Sequence, residues 1–337
     1  MSEMPIDVVP RATRLLRWYP KSWRSRYGDE FTELLISELA EQPHSWRRTW
    51  DVIRSGLAAR LSSAGLGGRT LDPSLQVRAS LAAIGCAMAG FLVFGTAMWS
   101  QLTIGWQWSP PDTTTTTAAM VAMSGTMVLF AALAVLAALP VAWNAVTRLA
   151  RRQWRGLVEP SALMVAGGAL LIAGSRHFGN GWPGTGGHAW AHQGLVPGGV
   201  AAISWSSTLS ISSYWAHPGA LSSFPAAEIA WMAVSPLSVI CIVVGAAKAV
   251  LRLELSPRTL RFEARLSVVA ALGMLVYLGA CCAWVLDGGP GPRNLFHAGA
   301  IDVAGLGVMA AALGLACQAS SRARRAGAGV GVGVPAR

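Results

Sequence analysis

Residues 80–99, 118–143, 226–247, 266–285 and 298–317 are apolar runs of 20 residues or more, and Glu228 and Asp302 are the only charges inside them. No other feature limits the fold as sharply. A bilayer core about 30 Å thick is crossed by roughly 20 helical residues. A sixth run, 157–174, is shorter and holds Glu159 and Pro160 near its start. Charged residues make up 13% of the chain, against roughly 25% in soluble domains, and mean hydropathy is +0.44. These runs predict an all-α polytopic membrane protein with six transmembrane helices, at 79–317.

The net charge of +11 could signal nucleic acid, so its distribution decides. Lys and Arg number 12 in residues 1–78, 4 in 148–155, 5 in 248–265 and 4 in 322–337. Only Arg176 and Arg293 fall in the alternate loops. Cytoplasmic flanks of membrane spans carry such an excess of Lys and Arg. The charge therefore reports orientation, and no nucleic-acid partner is implied. Both termini are expected in the cytoplasm, with the chain multi-pass in the cell membrane. Residues 1–30 have no apolar signal-peptide core, so the first span is expected to act as its own insertion signal. Cys86, Cys241, Cys281, Cys282 and Cys317 all fall within the runs, where neither disulfide nor metal-site spacing is suggested.

Before the first span, residues 1–64 read as a separate cytoplasmic helical domain. Pro20 stops one short helix. Trp23, Tyr27, Phe31, Leu35 and Leu39 then recur four apart, and Pro43 ends that stripe. Trp46, Trp50, Ile53, Leu57 and Leu61 form another. Three such stripes can close on one another, and Trp23, Tyr27, Phe31, Trp46 and Trp50 are the expected core. Arg24, Arg26, Arg47 and Arg48 would stay available to acidic surfaces or lipid head groups. Residues 65–78 read as a linker, and 318–337 as a disordered cytoplasmic tail.

The stretch "LLRWYPKSWRSRYGDEFTELL" also carries a resemblance, through Tyr19-Pro20, Trp23, Arg24, Arg26, Tyr27 and Gly28. It resembles the N-terminal segment of uncharacterised actinobacterial integral membrane proteins. It is similar, more loosely, to the HAAS-type helical signalling domain of membrane proteins partnered with PadR-family regulators. The resemblance covers about residues 11–63. It implies an interaction module and no catalytic residues.

Between the third and fourth spans, residues 176–225 form a large outer loop containing "FGNGWPGTGGHAWAH". Gly179, Gly181 and Gly184 have dinucleotide-loop spacing, but that motif needs a preceding strand and access to nucleotides. Here a membrane span precedes it and Trp182-Pro183 interrupts it, so the glycines read as turn residues. His188 and His192 stand four apart, yet no HExxH glutamate accompanies them, and no metal or other cofactor is implied. Interfacial packing beside the loop's tryptophans is the plainer role. "SWSSTLSISSYW", within 195–215, could be re-entrant, interfacial or a loop. Ser235-Pro236 marks a kink in the fourth span. Gly307 with Ala311, and Ala310 with Gly314, are expected to support close helix packing.

Charged groups inside spans carry a functional expectation. Glu228 and Asp302 lie near outer span ends, where Arg176 is the expected partner. With His177, His188 and His192 on a loop folded over them, these six residues define a candidate ligand-binding or pH-sensing pocket, with no catalytic residue among them. The favoured function is signalling or regulation through the cytoplasmic domain, whose partner would be a cytoplasmic regulator bound by residues 1–64. The alternative is a transporter or permease subunit, and a membrane enzyme using the outer histidines comes third. Oligomeric state is not set by the sequence.

Overall fold

Where water is excluded, the backbone must satisfy its own N–H and C=O groups, and long apolar runs become helices. The structure is a computed structural model that describes residues 8–41, 45–63, 73–103, 113–152, 156–181, 195–211, 219, 225–253, 255–287 and 300–329. Its helices are α1 Val8–Leu16, α2 Lys21–Glu41, α3 Trp46–Ser63, α4 Pro73–Thr103, α5 Thr114–Ala150 and α6 Val158–Gly181. They continue with α7 Leu195–Ser206, α8 Ala226–Arg252, α9 Pro257–Asp287 and α10 Ala300–Gly329. No strand occurs among the described residues. Helices α4, α5, α6, α8, α9 and α10 are long and apolar enough to cross a bilayer. The chain is an all-α, multi-pass membrane protein with a small helical unit before its spans.

Two boundaries differ from the sequence reading. Helix α4 begins at Pro73, taking in the last residues of the expected linker, because Val77 is buried and Arg78 has work to do. The Arg78 guanidinium donates to the carbonyls of Leu251 and Leu253, which end α8 with no intrahelical partner. Helix α10 runs on to Gly329, so residues 318–329 of the expected tail are helical. Ala and Arg are strong helix formers, and Ala319, Ser320 and Ala323 are buried. Residues 330–337 lie outside the described residues.

Helix α4 is the hub of the bundle, packing on α8, α9 and α10, while α6 is reached through α8 and α5 through α9. The α10 face turned inward carries Gly305, Met309, Ala312, Ala316, Ala319 and Ala323 at three- and four-residue spacing. A Cβ on Gly305 would stand 3.0 Å from the Phe94 ring of α4. This corrects the expected small pairs: Gly307, Ala310, Ala311 and Gly314 are exposed, one face away from the seam. Helices α6 and α8 cross more closely. A Cβ on Gly167 would lie 2.7 Å from the Ser238 carbonyl, and one on Gly245 would lie 2.8 Å from the Pro160 carbonyl.

The middle of the bundle is an apolar layer. Phe91, Phe130 and Tyr277 meet with ring centroids 5.6–6.4 Å apart, and Met123, Met274 and Met309 fill the space around them. The one polar group these rings bring, the Tyr277 hydroxyl, donates to the Gly95 carbonyl at 2.7 Å.

In the N-terminal unit, Ala12, Leu15, Leu35 and Leu39 form the core, with Phe31, Ile36, Val52 and Ile53 against it. Tyr19 is buried and stacks on Trp23 at 4.1 Å. Arg60 ties α3 to α1 by donating to the carbonyls of Arg17 and Trp18. The expected aromatic core is only half right, because Trp46 is 77% and Trp50 54% exposed, and Tyr27 is also exposed. The face of α3 that packs is instead the one carrying Val52, Ile53 and Gly56, with Gly56 pressed on Trp18.

Leu35→Ala should destabilise this unit by about 2–5 kcal/mol, as core truncations do. Trp46→Ala should change it by less than about 0.5 kcal/mol. Pulse proteolysis of the full chain in urea would rank the two. Burial also raises the Tyr19 phenol above its ordinary value, an effect that exceeds the opposing hydrogen bond with Ser55. A raised folded value favours the neutral phenol, so this contribution to stability is complete below pH about 10. It is lost as pH rises through the folded value. The difference between absorbance titrations of the full chain and of Tyr19→Phe should be one tyrosine that ionises late.

Candidate functional site

Alternation of the spans puts Arg78, Arg148, Arg252, Arg258 and Arg322 at one end of the bundle, here called the basic end. The far end holds the buried polar side chains of interest. After α6, the chain returns as α7 and a short 3-10 turn, Thr208–Ser210, which pack on α4, α6, α8 and α10. Ala201, Ser204, Trp205, Ser207, Thr208 and Ile211 are all buried. With Ile203 and Leu209 exposed on its other side, the segment is a wedge set into the bundle by one face. That settles the middle of 195–215 as buried structure; residues 212–218 lie outside the described residues.

Trp205 fixes the wedge. Its indole is fully buried, meets Trp231 of α8 with centroids 6.4 Å apart, and covers Gly174 of α6. A Cβ on Gly174 would fall inside the van der Waals envelope of that ring. The hydroxyls around it bond mostly to local carbonyls: Ser207 to Ser204, Thr208 to Trp205, and Ser238 to Ser235, all within 2.9 Å. Thr208 and Ser235 also touch, at 3.4 Å, beside Pro236 within α8.

Four polar groups in this region are buried without a hydrogen bond: the Thr96 and Ser100 hydroxyls of α4, the Ser204 hydroxyl, and the Trp205 indole N–H. Thr96 and Ser100 are four apart, on one stripe of α4, the helix on which α7 and the 3-10 turn pack. Each such group costs about 1–3 kcal/mol when left unpaired. Two of them lie on α4 and two on α7, so a small polar molecule reaching this end would meet three hydroxyls and one dedicated donor.

Asp302 lies nearby in chain terms, in the first turn of α10, where it is buried at 6% exposure and accepts from Gln101 Nε2 at 3.3 Å. Gln101 directly follows Ser100. Glu228 is half-buried in the first turn of α8. Helix N-termini stabilise carboxylates, and Gln101 adds a hydrogen bond to Asp302. Arg176 is exposed at the end of α6, because Gly174 and Ser175 are the residues turned inward there. Among the described residues, the ion pairs are Arg48–Glu38, Lys248–Glu159 and Arg252–Glu159; Arg176 pairs with neither Glu228 nor Asp302. The His177 side chain, His188, His192 and Arg293 lie outside the described residues.

No protein-family model, curated protein or solved structure matches the chain. The site therefore has to be understood from its own geometry.

Sequence reasoning passed over Thr96 and Ser100, since single hydroxyls in apolar runs carry no spacing signal; it marked the stretch holding Ser204 and Thr208 without assigning those hydroxyls a role. It also missed Glu263, by starting the fifth span at Leu266. Glu263 is buried at the basic end of α9, on the inward stripe with Ser267, Ala270, Met274 and Tyr277, and its Oε1 has no hydrogen bond. That seven-residue register with Ala270 was the available clue. Among the described residues, no group of three or more His, Cys, Asp or Glu side chains could hold a metal ion.

Gly174→Ala should expel the Trp205 ring and loosen the wedge. The test is hydrogen exchange of residues 195–211 in nanodiscs: exchange should rise at least about tenfold, a change of 1.4 kcal/mol in local opening. Unchanged protection would mean that Trp205 does not anchor the segment.

Proposed function

We propose that this chain is a signalling or regulatory protein of the cell membrane, with the basic end and both termini in the cytoplasm. The unsatisfied far-end groups detect a small polar ligand, and the α1–α3 unit is the output module. The observation that carries this reading is the apolar middle of the bundle. Phe91, Tyr277, Met274 and Met309 belong to one buried apolar cluster between the far-end hydroxyls and the basic end. Polar groups that stop at a packed layer suit detection. A transporter, the alternative, needs a polar route past those side chains.

The output module has a surface for the task. Trp23, Tyr27, Glu30, Phe31 and Leu34 line an open groove of about 300 Å³ on α2. Grooves with aromatic walls accept an apolar helix face, as a cytoplasmic regulator could supply. The resemblance of residues 11–63 to HAAS-type domains supports the same assignment.

A photo-crosslinking residue at position 34 of the full chain, in cells, should form an adduct with a soluble protein. Tyr27→Glu should reduce that adduct about tenfold, which corresponds to 1.4 kcal/mol of binding, while membrane insertion stays unchanged. Adduct yield indifferent to Tyr27→Glu would defeat the assignment of the groove. Uptake of a solute by reconstituted protein would favour the transporter.

A further inference from the structure

Helix α3 leaves its most apolar face uncovered. Trp46 is 77%, Trp50 54% and Leu57 42% exposed. At about 100° per residue, these three positions fall within roughly 40° of one another, away from Val52 and Gly56 and bordering the packed Ile53. The exposed Arg54 and Arg47 follow at about 80° and 100° from Trp46, before the exposed Asp51 at about 140°. A narrow Trp/Leu stripe edged by arginines is the pattern of a helix lying in a bilayer surface. Its rings enter the acyl boundary while guanidinium groups meet anionic head groups.

The chain's own connectivity names the occupant. Ser63 ends α3 and Pro73 opens the first membrane span. The nine intervening residues reach at most about 35 Å even when fully extended, and α3 itself is about 27 Å long. The stripe is thus tethered beside a bilayer at all times, at the end of the bundle richest in Lys and Arg. A soluble partner would have to compete with a lipid surface held at that distance. The groove on α2 uses other residues, so the two surfaces are separate.

We infer that α3 docks on the bilayer at the basic end, with Trp46, Trp50 and Leu57 in the acyl boundary and Arg47 and Arg54 on anionic head groups. The N-terminal unit is thereby held flat on the membrane. This inference does not depend on the signalling role, since lipid contact is read without any partner.

The test uses the full chain labelled with 5-fluorotryptophan, in nanodiscs of phosphatidylcholine and phosphatidylglycerol. Trp46→Phe and Trp50→Phe each remove one fluorine resonance and so assign it. A spin-labelled lipid should broaden both resonances, and a water-soluble paramagnetic agent should leave them sharp. Arg47→Gln with Arg54→Gln should halve the lipid-induced broadening or better. Broadening by the water-soluble agent would overturn the inference, because the stripe would then face solvent. Shielding from both agents would overturn it too, because protein (a second copy or the bundle) would then cover the face. Broadening unaffected by the two arginine substitutions would remove the anionic head groups from the account.

Discussion

Between helices in a bilayer there is little hydrophobic drive, since lipid tails are as apolar as leucine, so cohesion comes from how closely backbones can approach. The seam between α4 and α10 meets that demand with Gly305, Ala312, Ala316, Ala319 and Ala323, and the α6–α8 crossing meets it with Gly167 and Gly245. Every other feature hangs on these two approaches. The first holds the hub helix and aligns the aromatic middle layer. The second sets α6 and α8 close enough for their far ends to share one covering side chain, Trp205. At the opposite end the same pair is joined by Lys248 and Arg252 on Glu159. Those exposed ion pairs contribute little energy and act mainly to fix register.

The span count and the N-terminal helical unit were legible because length and charge are one-dimensional properties. Helix faces were less so. Trp46 and Trp50 share helical spacing with buried Leu35 and Leu39, but spacing says that a stripe exists, without saying what covers it. The same limit misplaced close packing on Gly307 and Gly314, although Gly305 lies only two residues away and faces Phe94. The candidate site was read through its charges: Asp302 was correctly found at a span end, where Gln101 donates to it, while Arg176, its expected partner, is exposed. Long-range pairing of α4 with α10 decides that, and no local pattern encodes it. Thr96 and Ser100 escaped notice for a simpler reason. Single hydroxyls in an apolar run carry no spacing signal.

Polar side chains in this bundle are segregated by depth. One group lies at the far end around α7, and Glu263, Ser80 and Ser320 lie toward the basic end, all buried with an unbonded oxygen. Between them the packing is aromatic and thioether. Such layering keeps the two sets of polar groups apart, with apolar packing between them. Methionine in the dividing layer can repack without leaving voids, so the partition tolerates movement of the helices around it.

Helix α10 joins the two ends of the bundle in one piece. It spans 30 residues, about 45 Å at 1.5 Å per residue, and therefore outruns a hydrocarbon core of about 30 Å. Unlike α5 and α8, which contain Pro140 and Pro236, it has no proline to bend at. Its first turn carries Asp302, and its last turns carry Arg322, Arg324 and Arg325. It is a single uninterrupted rod that carries a buried carboxylate at one face of the membrane and three arginines at the other.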